Sequence, residues 1–468
     1  VITTRGVRRA LRTAAGCLAL LGVAAPAVAQ GTPGPAHAAR RARALERAGT
    51  NVLIVPARAS FMGDDQLGYV QAADFSYLTG LDEALGVVLV LDGRDRSAHL
   101  FVPPPRPFVT RGRLDADAAT AARVGVARAW PVDSLEPWLR RRFASAPTTA
   151  YVAPVDHRMP ASAPLPMANS VARWAAWLGP LGARATESAV PVLRPLREVK
   201  DAGELATLRR VARTSGEAML AGLRALRPGR RQLDAELDVV QACRDAGARG
   251  VSFWPWTMSG PNADWHGLWD TFLAYDHADR TMQAGEVVRV DVGCQVDHYM
   301  GDVGRTAPVT GTFTAGQREA WDLFIAGYRA GLAVIKDGVA ARTVYDAALA
   351  EIRRRQPSLR TAQGREAAQV LLGPGGTEAW ELHGVGLDDA EGLPDTLRAG
   401  MVVAYELMFV AGGDGFYLED MVAVTASGAE VLTAGLPYTA AEIERAMRAR
   451  PEARRAGAVH RPAGPASR

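Results

Sequence analysis

Four carboxylates and one imidazole stand out in the C-terminal half of the chain, each set in a short apolar stretch. Asp291 and Asp302 lie eleven residues apart in "VVRVDVGCQVDHYMGDVGRT", and Glu406 and Glu419 thirteen apart in "MVVAYELMFVAGGDGFYLEDMVAVT". Both stretches read as hairpins, with an apolar arm on each side of a polar or glycine-rich turn. A first turn centred on Val296 and Asp297 places Asp291 directly opposite Asp302, and a second centred on Gly413 and Asp414 places Glu419 diagonal to Glu406. Like charges so placed oppose strand pairing, and burying an ionised carboxylate is costly unless it is compensated. A shared proton or a bound cation supplies that compensation. His383, in "WELHGVGLDD", lies between the hairpins and precedes Gly384 and Gly386, which allow close backbone approach. Together the five side chains make a ligand set for two divalent ions of hard to borderline character.

The elements that must position them follow from changes of pattern along the chain. Apolar runs "NVLIVPA", "GVVLVLD", "AHLFVPP" and "TAYVAPV", with the helix-like "DSLEPWLRRRF", predict an N-terminal α/β domain over 40–190. The Pro-rich "HRMPASAPLPMANS" reads as a surface connection, and "GTPGPAHAAR" as a flexible lead-in. Long amphipathic helices begin near residue 195 and open a second domain over 195–440, with strands near 287–292, 401–410 and 420–425. Residues 441–468 carry seven arginines among Pro and Ala and read as a helix end with a solvated tail.

Composition narrows the function. The chain has 468 residues, 48% hydrophobic and 22% charged, enough for two globular domains. Arg5, Arg8, Arg9 and Arg12 precede the apolar run "AAGCLALLGVAAPAVA", so residues 1–29 read as a signal peptide cleaved after Ala29, leaving no stable membrane span. The expected location is periplasmic or secreted. Removing these four arginines takes the formal net charge from +4 to zero, since residues 1–30 contain no acid. No basic face with interleaved aromatics remains, so nucleic acid is not an expected partner. Two cysteines, Cys243 and Cys294, then remain, and two buried free thiols are expected ahead of a bridge.

In order and context the five candidate ligands resemble those of the M24 metallopeptidases of pita-bread fold, the family of aminopeptidase P and prolidase. "YVQAADFSYLTGLDEALGVVLVLDG" and "HLFVPP" are similar to the creatinase/aminopeptidase-P-like N-terminal domain. "LREVKDAGEL", "MSGPNADWH" and "YLEDMVAVTASGAEVLT" extend the resemblance over about residues 40–440. The resemblance implies that Asp291 binds one metal and His383 with Glu406 the other, while Asp302 and Glu419 bridge them. It implies manganese, although the ligands also admit cobalt, zinc or iron. It implies metal-assisted removal of an N-terminal residue from peptides at Xaa-Pro bonds, Glu406 shuttling the proton of the attacking water. A homo-oligomer, with the N-terminal domain closing one side of the cleft, is also implied.

The departures bear on substrate rather than on reaction. Histidines typical of the family four residues before and seven after the metal histidine are Ala379 and Ala390 here, and the Glu-Pro-Gly at the fourth ligand is Glu406-Leu407-Met408. A further substrate-facing histidine is expected at His266, which follows "SGPNADW", with His277 as the alternative. Phe253, Trp254, Trp256, Trp265 and Trp269 read either as the wall of an apolar subsite or as core. A prolidase-like dipeptidase, a broader aminopeptidase and a non-catalytic peptide-binding protein stay open as alternatives.

Overall fold

The computed structural model describes residues 33–59, 69–105, 112–155, 170–374, 380–392 and 394–449. The signal-peptide segment, most of the Pro-rich connection, Ala379 and the tail beyond Ala449 lie outside them.

Six strands form the first sheet: β1 (Val52–Pro56), β2 (Val88–Asp92), β3 (Ser97–Val102), β4 (Arg128–Pro131), β5 (Thr149–Val152) and β6 (Ala185–Ser188), in the order β4-β3-β2-β1-β5-β6. The apolar runs become β1, β2, β3 and β5. The lead-in is more ordered than its composition predicts, because Pro35 starts a helix that runs to Ala48. Proline costs nothing at a first helical turn, where its missing N–H would have no partner.

The second sheet carries the acids. Its framework is β8 (Trp256–Ser259), β9 (Val287–Val292), β12 (Val303–Pro308), β13 (Trp380–Gly384), β14 (Val402–Ala411), β15 (Asp414–Val424) and β16 (Ala429–Val431). The order is β13-β14-β15-β12-β9-β8, with β16 beside β15. A small ribbon of β7 (Gly250–Val251), β10 (Cys294–Val296) and β11 (Tyr299–Met300) continues the first hairpin beyond β9 and β12.

Alternation along β14 and β15 divides this sheet into two chemistries. Tyr405, Leu407 and Phe409 join Phe416 and Leu418 in the core, where, on the helix Ala315–Leu332, Phe324 packs edge-on against Phe409 and Tyr328 stacks on Tyr405. Ala404, Glu406 and Met408 point the other way. At one end of that face Val402, Ala404, Met421 and Ala423 pack on Leu208, Val211 and Ala212 of the helix Ala202–Ala225. That helix starts in a capping box between Asp201 and Glu204.

The cysteines form a disulfide, against the expectation of free thiols. Cys243, on the helix Gln232–Asp245, bonds to Cys294 with a Cα–Cα separation of 5.6 Å. It anchors the acid-bearing hairpin three residues beyond Asp291.

Candidate metal centre

Register places the site. Across the sheet, Trp256 pairs with Asp291, Asp291 with Gly304, Gly304 with Glu419, Glu419 with Glu406, and Glu406 with Glu381. Directly paired residues share a face, so three acids of the ligand set lie in one row with Glu381 at its rim. Asp302 stands two residues before Gly304 and His383 two after Glu381, which keeps both on the same face.

Both expected pairings shift. The first hairpin turns at Asp297 and His298, with positive φ of 49° and 68°, so Asp291 opposes Gly304 and lies diagonal to Asp302. The second turns at Gly412 and Gly413, φ 63° and 78°, so Glu419 lies directly opposite Glu406. Two-residue hairpin turns with positive φ match the twist of the strands they join.

Glycine is required at the centre of the row. A Cβ on Gly304 would come within 2.0 Å of the Tyr417 ring, which lies across it. Tyr417 in turn donates from Oη to Glu419 Oε2 at 2.6 Å. On the edge strand, His383 Nε2 stands 3.5 Å from Glu406 Oε1, 3.6 Å from Glu419 Oε1 and 3.7 Å from Asp302 Oδ2. Its Nδ1 faces the Gly384 carbonyl at 3.3 Å, a contact that favours the tautomer with Nε2 free for a ligand. Potential donor atoms of Asp302, His383 and Glu419 fall within 4.8 Å of one another.

Electrostatics make the cluster a cation site. Burial, then the neighbouring Glu419, pushes Asp291 and Asp302 well above the ordinary carboxylate range, and burial with Glu406 raises Glu419. Burial acts the same way on Glu406, but the His383 imidazole outweighs it and holds Glu406 below its usual value. Burial would lower His383, yet its contacts with Glu406 and Glu419 hold it well above an ordinary histidine. Asp291 Oδ1 and Glu419 Oε1 are buried without a hydrogen-bond partner. Buried acceptors on anionic groups need a proton or a cation, and this donor set suits divalent metal.

The loop after His383 is tied to the first domain. Glu391 accepts from Lys200 Nζ at 2.5 Å and from Arg197 Nη2 at 2.6 Å, and Arg197 also pairs with Asp388 and Asp74. Three carboxylates face two cations here. Burial pushes Asp74 up, whereas Lys200 and Arg197 overcome burial at Glu391 and lower it to about 2. A carboxylate depressed in the folded state stabilises above its unfolded value, and the contribution is lost as pH falls through the folded one. Glu391→Gln is therefore expected to remove about 3 kcal/mol at pH 7. The difference from the parent protein should shrink as pH falls from about 4.5 to about 2. Urea melts of both proteins at several pH values measure it, and a gap independent of pH would refute it.

Other sequence expectations fare differently. His277 is exposed on the short helix Tyr275–Ala278, apart from the acid row. His266 lies on the helix Trp265–Leu273, but its side chain and that of Trp265 are outside the described residues. Trp254 and Trp256 pack edge-on or tilted against Tyr275, and Trp256 reaches the acid row beside Asp291. Trp269 is 60% exposed and belongs to no core. His298, at the turn of the first hairpin, is half-buried with Nε2 3.3 Å from Asp82 Oδ2. Sequence reasoning missed Arg289, Tyr417 and Glu381. Each stands two residues before a candidate ligand, so period-two alternation alone places it on the ligand's face.

The comparisons with known proteins match this arrangement. Residues 206–426 match metallopeptidase family M24, and residues 37–151 match the aminopeptidase P N-terminal domain. Over these two segments the chain is M24 aminopeptidase P-like. Among similar proteins, the Xaa-Pro aminopeptidase of Escherichia coli K12 is 26% identical over 417 residues, covering 82% of this chain and 90% of that protein. The Xaa-Pro aminopeptidase of Haemophilus influenzae is 23% identical over 400 residues, covering 81% and 88%. A structure of zinc-substituted E. coli aminopeptidase P in complex with product shares the fold, with a TM-score of 0.69 at 22% identity over 88% of this chain and 97% of that one. The first matched segment carries β1 to β4 and nearly all of β5, and the acid row lies wholly in the second.

Proposed function

We propose that this chain is a metal-dependent aminopeptidase that hydrolyses the N-terminal Xaa-Pro bond of peptides. Two divalent cations, manganese foremost, are to be held by Asp291, Asp302, His383, Glu406 and Glu419. The carrying observation is the acid row itself, with His383 Nε2 within 3.5 to 3.7 Å of three carboxylates, and Asp291 Oδ1 and Glu419 Oε1 buried without a hydrogen bond. When bound, such cations lower the pKa of a water and polarise a carbonyl. Glu406 is suited to move the proton. It is kept ionised by His383 and can accept at Oε1 from the water and return the proton to the leaving amine. Asp291, Asp302 and Glu419 face one another in a buried space and supply negative charge for cations and for the substrate's ammonium group.

Export to an oxidising compartment, the periplasm or outside the cell, belongs to the same proposal. The Cys243–Cys294 bridge supports it, since most cytosolic thiols stay reduced. Among the described residues no helix is long and apolar enough to cross a membrane.

One observation favours a second reading. Ala390, where the family resemblance leads one to expect a substrate-contacting histidine, is exposed and offers no polar side chain. A broader aminopeptidase or a prolidase-like dipeptidase then becomes the competing assignment. Metal content after manganese loading, followed by a panel of Xaa-Pro-Yaa, Xaa-Pro and Xaa-Ala-Yaa peptides, separates these. Fewer than one ion per chain would end the hydrolase reading and leave peptide binding without turnover. Equal cleavage of proline and alanine peptides would end the specificity, and cleavage confined to dipeptides would favour the prolidase-like reading. Because Asp291, Asp302 and Glu419 are raised, protons compete for their oxygens, so manganese affinity is expected to weaken as pH falls.

A further inference from the structure

Arg289 is a buried cation with no part in the hydrolytic scheme. It stands two residues before Asp291 on β9, on the acid-bearing face, and is 6% exposed. Three contacts fix its guanidinium. It lies 4.1 Å from the centroid of the Tyr417 ring, donates from Nη1 to Met408 Sδ, and donates from Nη2 to Asp291 Oδ2 at 3.4 Å. These partners come from β15, β14 and β9, so the plane of the group is set by three strands. The consequence falls on Asp291. One of its oxygens is engaged by Arg289, and the other, Oδ1, is buried and unpartnered. Tyr417 does the same to Glu419, engaging Oε2 and leaving Oε1, 3.6 Å from His383 Nε2, without a hydrogen bond.

We infer that Arg289 is a positioning residue of the metal centre: clamped on Tyr417 and Met408, it holds Asp291 by Oδ2 and turns Oδ1 toward the cation that Asp291 serves as terminal ligand. This rests on the two-cation reading above. Partners that orient a ligating carboxylate are commonly worth 10- to 100-fold in metal affinity. The loss should be selective, because Asp291 serves one ion while His383 and Glu406 serve the other. A guanidinium that only supported the fold would affect both ions together or neither.

Manganese titration of the metal-free full-length protein, followed by the electron paramagnetic resonance of free ion, tests this. The parent should bind two ions. Arg289→Met should keep one at parental affinity and hold the second about 10- to 100-fold more weakly. Arg289→Lys keeps the charge at this buried position, yet one ammonium cannot reach ring, sulfur and carboxylate together, so it should show the same selective loss. Two parental affinities in Arg289→Met, equal weakening of both ions, or full affinity in Arg289→Lys would each overturn the inference. A parent that binds fewer than two ions would instead refute the two-cation reading, before any variant is compared.

Discussion

Glu406→Gln is expected to lower kcat on an Xaa-Pro-Yaa peptide by about 10²- to 10⁴-fold, the range usual for loss of a general acid–base group. The glutamine keeps the size and one acceptor of the side chain but cannot take a proton. Among the candidate ligands beside His383, Glu406 is the most accessible acid, with 20% of its side chain exposed against 11% for Asp302 and 0% for Glu419. It alone is held below its ordinary range while Asp291, Asp302 and Glu419 are raised. Acceptance of a proton at neutral pH falls to the group that is ionised and reachable. The measurement is kcat at saturating manganese, with metal content determined on the same sample, so that weaker loading is not mistaken for lost proton transfer. Turnover within tenfold of the parent at equal metal content would assign the proton to another group.

Which parts of the site were legible in sequence follows from how local their causes are. Four acids in apolar strand arms are conspicuous because burial makes each one costly, and their order was readable without structure. Their pairing was not. Moving a hairpin turn by one residue moves the partner of every strand residue by two. The turn at Asp297 and His298 has a distant cause: His298, held at positive φ, is tied to Asp82 from the first domain, and Asp297 pairs with Arg210. In "GGDG" several adjacent pairs could turn, and only the full ladder of β14 and β15 selects Gly412 and Gly413. Strands β4, "RAWP", and β6, "ATES", show no alternation to read; they form by parallel pairing with β3 and β5. The disulfide joins residues 51 apart, a tertiary fact that a count of two cysteines does not contain.

Asp420→Ala should be the most destabilising single change behind the site, at about 3–5 kcal/mol, because it strands a buried cation. Asp420 follows Glu419 and points to the opposite face, where Arg305 Nη2 donates to its Oδ1 at 2.8 Å, both side chains being 0% exposed. Thr433 donates to the same oxygen, and Tyr438 and Tyr328 to Oδ2. Arg305 also donates from Nη1 to the carbonyls of Gly304 and Glu419, each at 2.7 Å. The pair therefore fastens the centre of the acid row from behind, at the two strands where glycine gives Tyr417 its place. A loss of this size corresponds to a fall in Tm on the order of 10 °C. The double change Arg305→Met with Asp420→Leu removes both charges and should cost less than Asp420→Ala alone, since no buried charge is left without a partner. If the double variant is the less stable of the two, the pair acts through its geometry on Gly304 and Glu419 and not through the penalty of an unpaired arginine. In that case manganese affinity, measured below the melting range, should fall further in the double variant, because the Arg305 contacts to both carbonyls are then absent.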